Sequence, residues 1–250
     1  WQPSFFGNFA GAPACRPPVS VETTRRLSFQ PQVDSEPDFM TQRGKFITVE
    51  GTEGVGKTTN LEYIRNWLQH NKIEFLSTRE PGGTPLAEQL RGLLLQPRDE
   101  PVDQTAELLM VFAARAQHLN QVILPALEQG IWVLCDRFTD ATYAYQGGGR
   151  QMDSGIIARL ETLVQGDLRP DAVILLDVPV AVGLARAKGR GVLDRFEQED
   201  IAFFERVRGT YRERAQGNPA YHLVDAGQAL PQVQAELDKV LVQLKGRWLP

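Results

Sequence analysis

Short runs of apolar residues recur along this chain and predict the strands of a β-sheet. They lie at residues 46–49, 73–76, 131–135, 172–176 and 221–224. Between them, apolar residues recur with helical spacing at about 58–70, 84–95, 103–128, 153–165, 179–188, 198–216 and 231–245. Because short apolar strands that alternate with helices form parallel sheets covered on both faces, the pattern predicts an α/β fold. Binding sites should then gather at the carboxyl ends of the strands.

Residues 1–43 differ from the rest of the chain, because they carry six prolines and no sustained helical or strand period. We predict that this segment is largely disordered and that residues 44–250 form the folded domain. Two interpretations of the segment stay open. Either translation starts naturally at Met40, which makes the preceding residues an upstream extension of the reading frame, or the segment is a basic transit peptide without a convincing amphipathic helix.

The charge and the apolar content of the chain argue against two classes of binding partner, nucleic acids and membranes. The chain has 250 residues and a formal net charge of −4, so a general nucleic-acid-binding surface is not indicated. No apolar run approaches the roughly 18 residues that a membrane-spanning helix requires. Cys135 ends an apolar run and is predicted to be a buried thiol, which suits a reducing compartment. We therefore expect a cytoplasmic protein whose partners are neither nucleic acids nor membranes.

Residues 51–58 read GTEGVGKT, which is a complete glycine-rich phosphate-binding motif. The motif directly follows the first predicted strand and precedes a helix, which is the context it needs. Its glycines let backbone N–H groups approach an anion closely, and the helix N-terminus adds to the attraction. Lys57 can contact the β- and γ-phosphates, and the Thr58 hydroxyl can contact Mg²⁺. The chain is therefore predicted to bind a nucleoside triphosphate.

Charged residues follow three further predicted strands. Asp136 and Arg137 come after the third, where a carboxylate can hold Mg²⁺ and a guanidinium can fork onto a phosphate. Asp177 comes after the fourth. After the second, Glu80 and Arg91 are either groups of the binding site or a solvated helix start with a surface charge.

Two other stretches carry candidate recognition residues. In the string FAAR, Phe112 is expected in the core, but burying Arg115 without an acceptor would be costly. The run FTDATYAYQGGGR, residues 138–150, places hydroxyls, tyrosines and an amide before a flexible glycine triplet. This run is either a small polar recognition pocket or a surface turn.

A basic cluster interrupts the acidic chain at residues 185–200. Its cations are Arg186, Lys188, Arg190 and Arg195, with Gly189 and Gly191 as candidate hinges. Because phosphoryl transfer depends on positioning and charge neutralisation, we interpret residues 186–200 as a mobile lid over polyphosphate rather than as a solvated face.

From about Lys45 to the C-terminus, the chain resembles bacterial thymidylate (dTMP) kinases. The resemblance rests on GTEGVGKTT, TREPGGTPLAEQLR, FAAR, DRFTDATYAYQGGGR, GDLRPD and LDRFEQE. It implies the P-loop nucleoside monophosphate kinase fold, with a five-stranded parallel sheet flanked by helices, and a homodimer. It also implies transfer of the γ-phosphoryl group of ATP to dTMP in the presence of Mg²⁺, a step in dTTP synthesis.

The resemblance implies roles for the residues of the ATP site. The ATP-binding residues would be Gly51, Thr52, Glu53, Gly54, Val55, Gly56, Lys57, Thr58, Thr59 and Arg186. Thr58 and Asp136 would hold Mg²⁺. The lid residue Arg190 would meet the transferring phosphoryl group, so that the catalytic set would be Lys57, Arg190, Arg137 and Glu53.

The resemblance also implies a dTMP site. The residues concerned are Glu53, Arg91, Phe112, Arg115, Arg137, Thr142, Tyr145 and Gln146. Arg137 would contact the dTMP phosphate with Arg91 nearby, and Glu53 would lie near the sugar 3′-hydroxyl. Tyr145 would crowd the 2′ position against ribonucleotides. The thymine edge would be read by Arg115, Thr142 and Gln146.

Phe112 is the candidate for stacking on the base, although Val111 occupies the place that a Phe has in many members of the family. Three rival functions stay open, of which a non-catalytic nucleotide-binding module would need no basic lid. A regulatory GTPase would need an N-K-x-D element, and the nearest string, NKIE at 71–74, lacks the Asp. Another P-loop nucleoside monophosphate kinase would share the architecture but lack Thr142 and Gln146 in this arrangement.

Overall fold

Five parallel strands form one sheet at the centre of the fold in the order β2-β3-β1-β4-β5. The computed structural model describes residues 42–187 and 194–249. Within them the strands are β1 Phe46–Glu50, β2 Phe75–Arg79, β3 Trp132–Asp136, β4 Ala172–Asp177 and β5 Tyr221–Asp225. All five residues of β1 are buried, which accounts for its continuous apolar and β-branched run. The predicted α/β fold with a five-stranded parallel sheet is confirmed.

Helices cover both faces of this sheet. In the described ranges the α-helices are α1 Lys57–His70, α2 Pro85–Leu95, α3 Gln104–His118, α4 Leu124–Glu128, α5 Thr139–Thr142, α6 Ser154–Gln165, α7 Val180–Ala187, α8 Ile201–Ala215 and α9 Leu230–Trp248. Alternate residues of β1 face opposite ways: Ile47 packs with α1 and α9, and Phe46 packs with the helical residues of 119–127. In the part of the chain that the structure describes, no helix is long and apolar enough to cross a membrane.

The disorder predicted for residues 1–43 falls outside the described residues except for Gln42 and Arg43, and it stays a prediction. Arg43 contacts the folded domain, because its Nη1 lies 3.1 Å from Asp171 Oδ2. The expectation that Cys135 is buried is confirmed, and burial raises the pKa of its thiol well above the ordinary value.

The second strand begins and ends later than its apolar run predicts. The predicted run is 73–76, but Ile73 lies in the turn that follows α1, where its N–H donates to Leu68 O at 3.0 Å. The strand instead continues through Ser77 and Thr78, which pair with Leu134 and Cys135 of β3. Because β2 is an edge strand, polar residues are tolerated in it, and apolar content alone misplaced its bounds.

The single helix predicted over 103–128 is interrupted. A π-helical turn at Leu119–Ile123 separates α3 from α4. Pro125 stands at the start of α4, and a proline cannot donate the N–H that a continuous α-helix would need there. The helical path is therefore kept, but its hydrogen-bond pattern changes.

Candidate active site

The carboxyl ends of β1, β2 and β3 open into one cavity of about 290 Å³. The lining residues are Glu53, Gly54, Gly56, Lys57, Thr58, Glu80, Pro81, Arg91, Leu94, Leu95, Val111, Arg115, Asp136, Arg137, Phe138, Ala141, Thr142, Tyr145, Gln146, Asp194, Phe196 and Glu197. The fourth predicted strand end does not join them. Asp177 is instead paired with Arg208 and Arg212, each at 2.7 Å.

The glycine loop has the close-packed geometry that its motif predicts. Gly54 has φ +71°, and a Cβ there would lie 1.8 Å from the carbonyl oxygen of Gly183 on α7, so a side chain cannot be accommodated. Lys57 Nζ donates to the carbonyl oxygens of Gly51 and Thr52, both at 2.9 Å. Burial, together with the nearby charge of Arg137, lowers the pKa of Lys57 to about 8. The hydrogen-bond acceptors of Lys57 are thus neutral carbonyl oxygens, which the oxygens of a bound anion could replace.

Arg137 lies at the centre of a hydrogen-bond network. Its Nη2 donates to Glu53 Oε1 at 2.9 Å, and its Nη1 donates to the hydroxyls of Tyr145 and Tyr211 at 2.9 and 3.2 Å. The Tyr145 hydroxyl donates to Glu53 at 2.6 Å. The backbone of Arg137 has φ +67°, a conformation that a non-glycine residue rarely adopts. Such strain is typical of functional sites.

Asp136 and Thr58 fit a divalent cation. Asp136 Oδ1 is buried and has no hydrogen-bond partner among the described residues, although Asp136 lines the cavity beside Thr58 and Lys57. An unpaired buried carboxylate oxygen is unusual and marks a place for a bound cation or its water. The described residues hold no group of three or more candidate ligands from His, Cys, Asp and Glu. Mg²⁺ is usually bound by one or two protein groups together with phosphate oxygens and waters, and the Asp136 carboxylate and the Thr58 hydroxyl are groups of that kind.

Arg115 has the acceptor that its burial requires. Its Nε donates to Glu80 Oε2 at 2.7 Å, and its Nη2 donates to Thr142 Oγ1 at 2.9 Å. Glu80 Oε1 is also 3.0 Å from His118 Nδ1. Glu80 is buried, so the interpretation of this residue as part of a solvated helix start is wrong. Arg91 is partly buried and donates to Pro81 O at 2.9 Å, at the rim of the same cavity.

The run after β3 is helical and packed, not a surface turn. Residues Thr139–Thr142 form α5, and Tyr143–Gly149 continue as a π-helix. Thr142, Tyr145 and Gln146 line the cavity, as expected for a recognition pocket. The glycine triplet is close-packed rather than flexible, since a Cβ on Gly148 would lie 2.2 Å from Thr210 Oγ1.

Phe112 is buried in the core and is not among the residues that line the cavity. Val111 lines the cavity, whereas Phe112 packs in a cluster with Leu108 and Ile157 and lies against the Arg115 guanidinium at 5.0 Å. Successive helical positions point about 100° apart, so the residue at 112 is turned into the core. The predicted stacking role of Phe112 is therefore not supported.

Only part of the proposed lid lies within the described residues. Lys188 and Arg190 fall outside them, so the predicted role of Arg190 stays a prediction. Arg186 is exposed and donates to Ala226 O at 2.9 Å, away from the cavity lining. Asp194, Phe196 and Glu197 line the cavity. Arg195 anchors this stretch, with Nε donating to Leu94 O at 2.8 Å.

Four buried groups next to the site were not predicted from the sequence: Glu50, Glu107, His118 and Tyr211. Tyr211 donates to Glu50 Oε2 at 3.0 Å, and Glu50 Oε1 accepts from the N–H of Phe138 at 2.7 Å. Burial, followed by the charge of Asp140, raises the pKa of Glu50 to about 8. The signal that identified Arg115, a charge within an apolar helix, would also have found Glu107.

Comparison with known proteins places this site in a family. The model of the thymidylate kinase family matches residues 49–237. The thymidylate kinase of Teredinibacter turnerae is 62% identical over 199 residues, which are 79% of this chain and 97% of that protein. That of Pseudomonas savastanoi pv. phaseolicola is 61% identical over 202 residues, 80% of this chain and 96% of that protein.

A solved structure gives the same answer. The crystal structure of thymidylate kinase from Ehrlichia chaffeensis matches with a TM-score of 0.64 and 34% identity, covering 80% of this chain and 99% of that one. These matches cover 97%, 96% and 99% of the three relatives' own lengths. The chain therefore belongs to the thymidylate kinase family.

Proposed function

We propose that this protein transfers the γ-phosphoryl group of ATP to the phosphate of dTMP, which gives dTDP and ADP. Thymidylate kinases phosphorylate dTMP to dTDP, so membership of the family supports the reaction. The observation that carries the proposal is the cavity that joins the glycine loop to three arginines: Arg91 of α2, Arg115 of α3 and Arg137 after β3. One end suits a polyphosphate and the other a nucleotide acceptor.

On the donor side, the glycine loop and Lys57 would bind the ATP phosphates. Lys57 would exchange its bonds to the Gly51 and Thr52 carbonyls for bonds to phosphate oxygens. Thr58 and Asp136 would hold Mg²⁺, which supplies charge neutralisation for the phosphates when it is bound. The lid residue Arg190 would add a cation at the transferring group, by the resemblance described above.

On the acceptor side, Arg137 would contact the dTMP phosphate, with Arg91 nearby. The Glu53–Arg137–Tyr145 contacts hold the guanidinium in place before substrate binds, which lowers the cost of ordering it. Arg115, Thr142 and Gln146 would lie at the base edge. Phosphoryl transfer involves little covalent chemistry by protein groups, so the main task of these residues is to align acceptor and donor and to neutralise charge.

A coupled assay of ADP release tests the proposal with dTMP, dUMP, CMP and GMP as acceptors. We expect dTMP to be the best acceptor and dUMP a poorer one, whereas equal turnover of CMP and dTMP would contradict the assignment. Arg137→Ala should raise KM for dTMP about tenfold or more, the scale of a charged hydrogen bond. Arg65→Ala is the matched control, because Arg65 is a partly exposed arginine of α1 that is bonded to Glu62 and Ser77 and does not line the cavity. It should leave KM for dTMP unchanged.

The homodimer and the cytoplasmic location stay predictions. The dimer is supported by exposed leucines on neighbouring helices α2, α3 and α6. Their exposed fractions are 49% for Leu86, 47% for Leu93, 52% for Leu109 and 79% for Leu163. Apolar patches of this kind are common at protein interfaces. Sedimentation velocity would measure the assembly directly.

A further inference from the structure

A buried carboxylate on α3 joins three segments next to the acceptor end of the cavity. Glu107 is fully buried, and its Oε1 accepts from Gln146 Nε2 at 2.8 Å. Its Oε2 lies 2.6 Å from Arg195 Nη2 and 3.4 Å from Arg150 Nη2. Glu107 does not line the cavity, so a role in the reaction would act through the residues it contacts.

The chemistry of Glu107 determines how the Gln146 amide is turned. A carboxylate flanked by two guanidinium groups accepts hydrogen bonds and has no proton to donate. The end of the amide that faces it must therefore be the NH₂ group, as observed. The carbonyl oxygen Oε1 is then the free end, with no hydrogen bond to another described residue, and Gln146 lines the cavity.

We propose that Glu107 is a positioning residue that fixes the carbonyl oxygen of Gln146 toward the nucleobase and so selects bases whose ring nitrogen carries a proton. The inference rests on the proposed function. A thymine or uracil base has an N3–H that can donate to this oxygen. A cytosine base has a lone pair at N3, which would face the carbonyl oxygen as a second acceptor without a proton between them. Two acceptors that face each other without a proton leave both polar groups unpaired, and the free-energy cost of burying them disfavours the cytosine base.

The variant Glu107→Gln should reverse the amide of Gln146. Arg150 keeps Glu199 as an acceptor, but Arg195 has no ion pair other than Glu107 among the described residues, so the carbonyl oxygen at position 107 should stay on the Arg195 side. Its NH₂ group would then face Gln146, whose own oxygen must turn toward it. The cavity would now present an NH₂ donor, which suits the cytosine lone pair and not thymine N3–H.

The experiment compares dTMP with 5-methyl-dCMP, which keep the same methyl group and sugar and differ on the base-pairing edge. We expect the ratio of kcat/KM for dTMP to that for 5-methyl-dCMP to fall about 10- to 100-fold in Glu107→Gln, the scale of one unpaired buried polar group. A merely structural loss would lower both values and leave the ratio unchanged. A folded variant with the wild-type ratio would overturn the proposal.

Glu199→Gln is the matched control. Glu199 accepts from the same Arg150 at 2.5 Å and makes no bond to Gln146, so this variant should keep the wild-type ratio. If Glu199→Gln changed the ratio as much as Glu107→Gln, selectivity would depend on Arg150 and the proposal would fail.

The double variant Glu107→Gln/Gln146→Glu keeps the local charge and tests the proposal even where the single variant does not fold. The amide at 107 would donate to the carboxylate at 146, whose second oxygen again faces the cavity as an acceptor. At pH 8, where cytosine N3 carries no proton, the preference for dTMP should return, and its absence would count against the proposal. Failure of the wild-type protein to phosphorylate dTMP would contradict the proposed function. An active wild type with an unchanged base preference in the variants would contradict only the role of Glu107.

Discussion

Replacement of Glu80 by Gln tests whether the buried ion pair beside the cavity stabilises the fold. The Glu80 and Arg115 side chains are 3% and 2% exposed, and their charged atoms lie 2.7 Å apart. Glu80→Gln keeps the shape of the side chain but removes its charge. Arg115 would then lie in the core without an anion, although Thr142 and Gln165 still accept from it at 2.9 and 3.4 Å.

The expected loss of stability follows from this burial. Removing one partner of a buried ion pair costs about 3–5 kcal/mol, because the remaining charge is left uncompensated. Since two neutral acceptors remain, we expect the lower end, about 3 kcal/mol. For a domain of this size, each kcal/mol shifts Tm by about 2–4 °C, so Tm should fall by about 6–12 °C.

Urea and thermal unfolding of wild type and variant give the measurement. The matched control is Glu62→Gln, which removes an ion pair of similar length, 2.8 Å to Arg65, from a carboxylate that is 61% exposed. It should cost no more than about 0.5 kcal/mol. A loss for Glu80→Gln as small as that of the control would refute the reasoning.

The pH dependence of the same comparison has a definite sign. Burial alone would raise the pKa of Glu80, but the charge of Arg115 and the contact with His118 outweigh it, so the pKa lies below 4.5. A carboxyl with a depressed pKa stabilises the folded state fully above its unfolded pKa and loses that contribution as pH falls through its folded pKa. The difference between wild type and Glu80→Gln should therefore be complete at pH 7 and shrink below about pH 4.5.

Three further predictions concern the cavity and its surroundings. Lys57→Ala should lower kcat about 10²- to 10³-fold in steady-state kinetics, since it removes one preorganised charge contact, and a near-normal kcat would contradict this. Asp136→Asn should raise the Mg²⁺ concentration for half-maximal activity, because a carboxylate ligand is lost; an unchanged magnesium titration would exclude that role. The pKa of Glu50 is raised to about 8, so between about pH 4.5 and 8 this carboxyl is protonated in the folded protein and ionised in the unfolded chain. The free energy of unfolding should therefore fall as pH rises, by at most about 1.4 kcal/mol per pH unit from this group. In Glu50→Gln, the free energy of unfolding measured by urea titration should depend less steeply on pH. If wild type and variant gave parallel plots against pH, the shifted pKa would be contradicted.

The sequence predicted the elements and the ends of the strands that form the site, because both follow from local patterns. Apolar runs located four strands closely, and the glycine motif located one part of the cavity lining. The pattern failed at β2, where Ser77 and Thr78 lie in an edge strand, and at Leu119–Ile123, just before Pro125, where a π-helical turn replaces α-helix. At β2 the outcome depends on pairing with β3, which is distant in sequence, whereas the interrupted helix reflects a proline that apolar spacing alone does not register.

The partners of the buried charges could not be predicted from local patterns. Glu80 and Arg115 are 35 residues apart in sequence, and Glu50 and Tyr211 are 161 apart. A single chain shows that a buried guanidinium needs an acceptor but not which carboxylate supplies it. For the same reason Val111 and Phe112, adjacent in sequence, could be told apart only by the direction in which α3 turns each of them.

Arg137 shows how the fold maintains a conformation that the residue itself disfavours. A left-handed backbone at a non-glycine position costs of order 1–3 kcal/mol and persists only where its surroundings determine it. Here the N–H of Arg137 donates to Val49 O at 3.0 Å across the sheet, and the guanidinium has three oxygen partners from three segments. A lysine ammonium could not reach these partners with the same planar geometry. The strained turn therefore aims a rigid, already ordered cation into the cavity, and this arrangement explains why an arginine follows Asp136 at the end of β3.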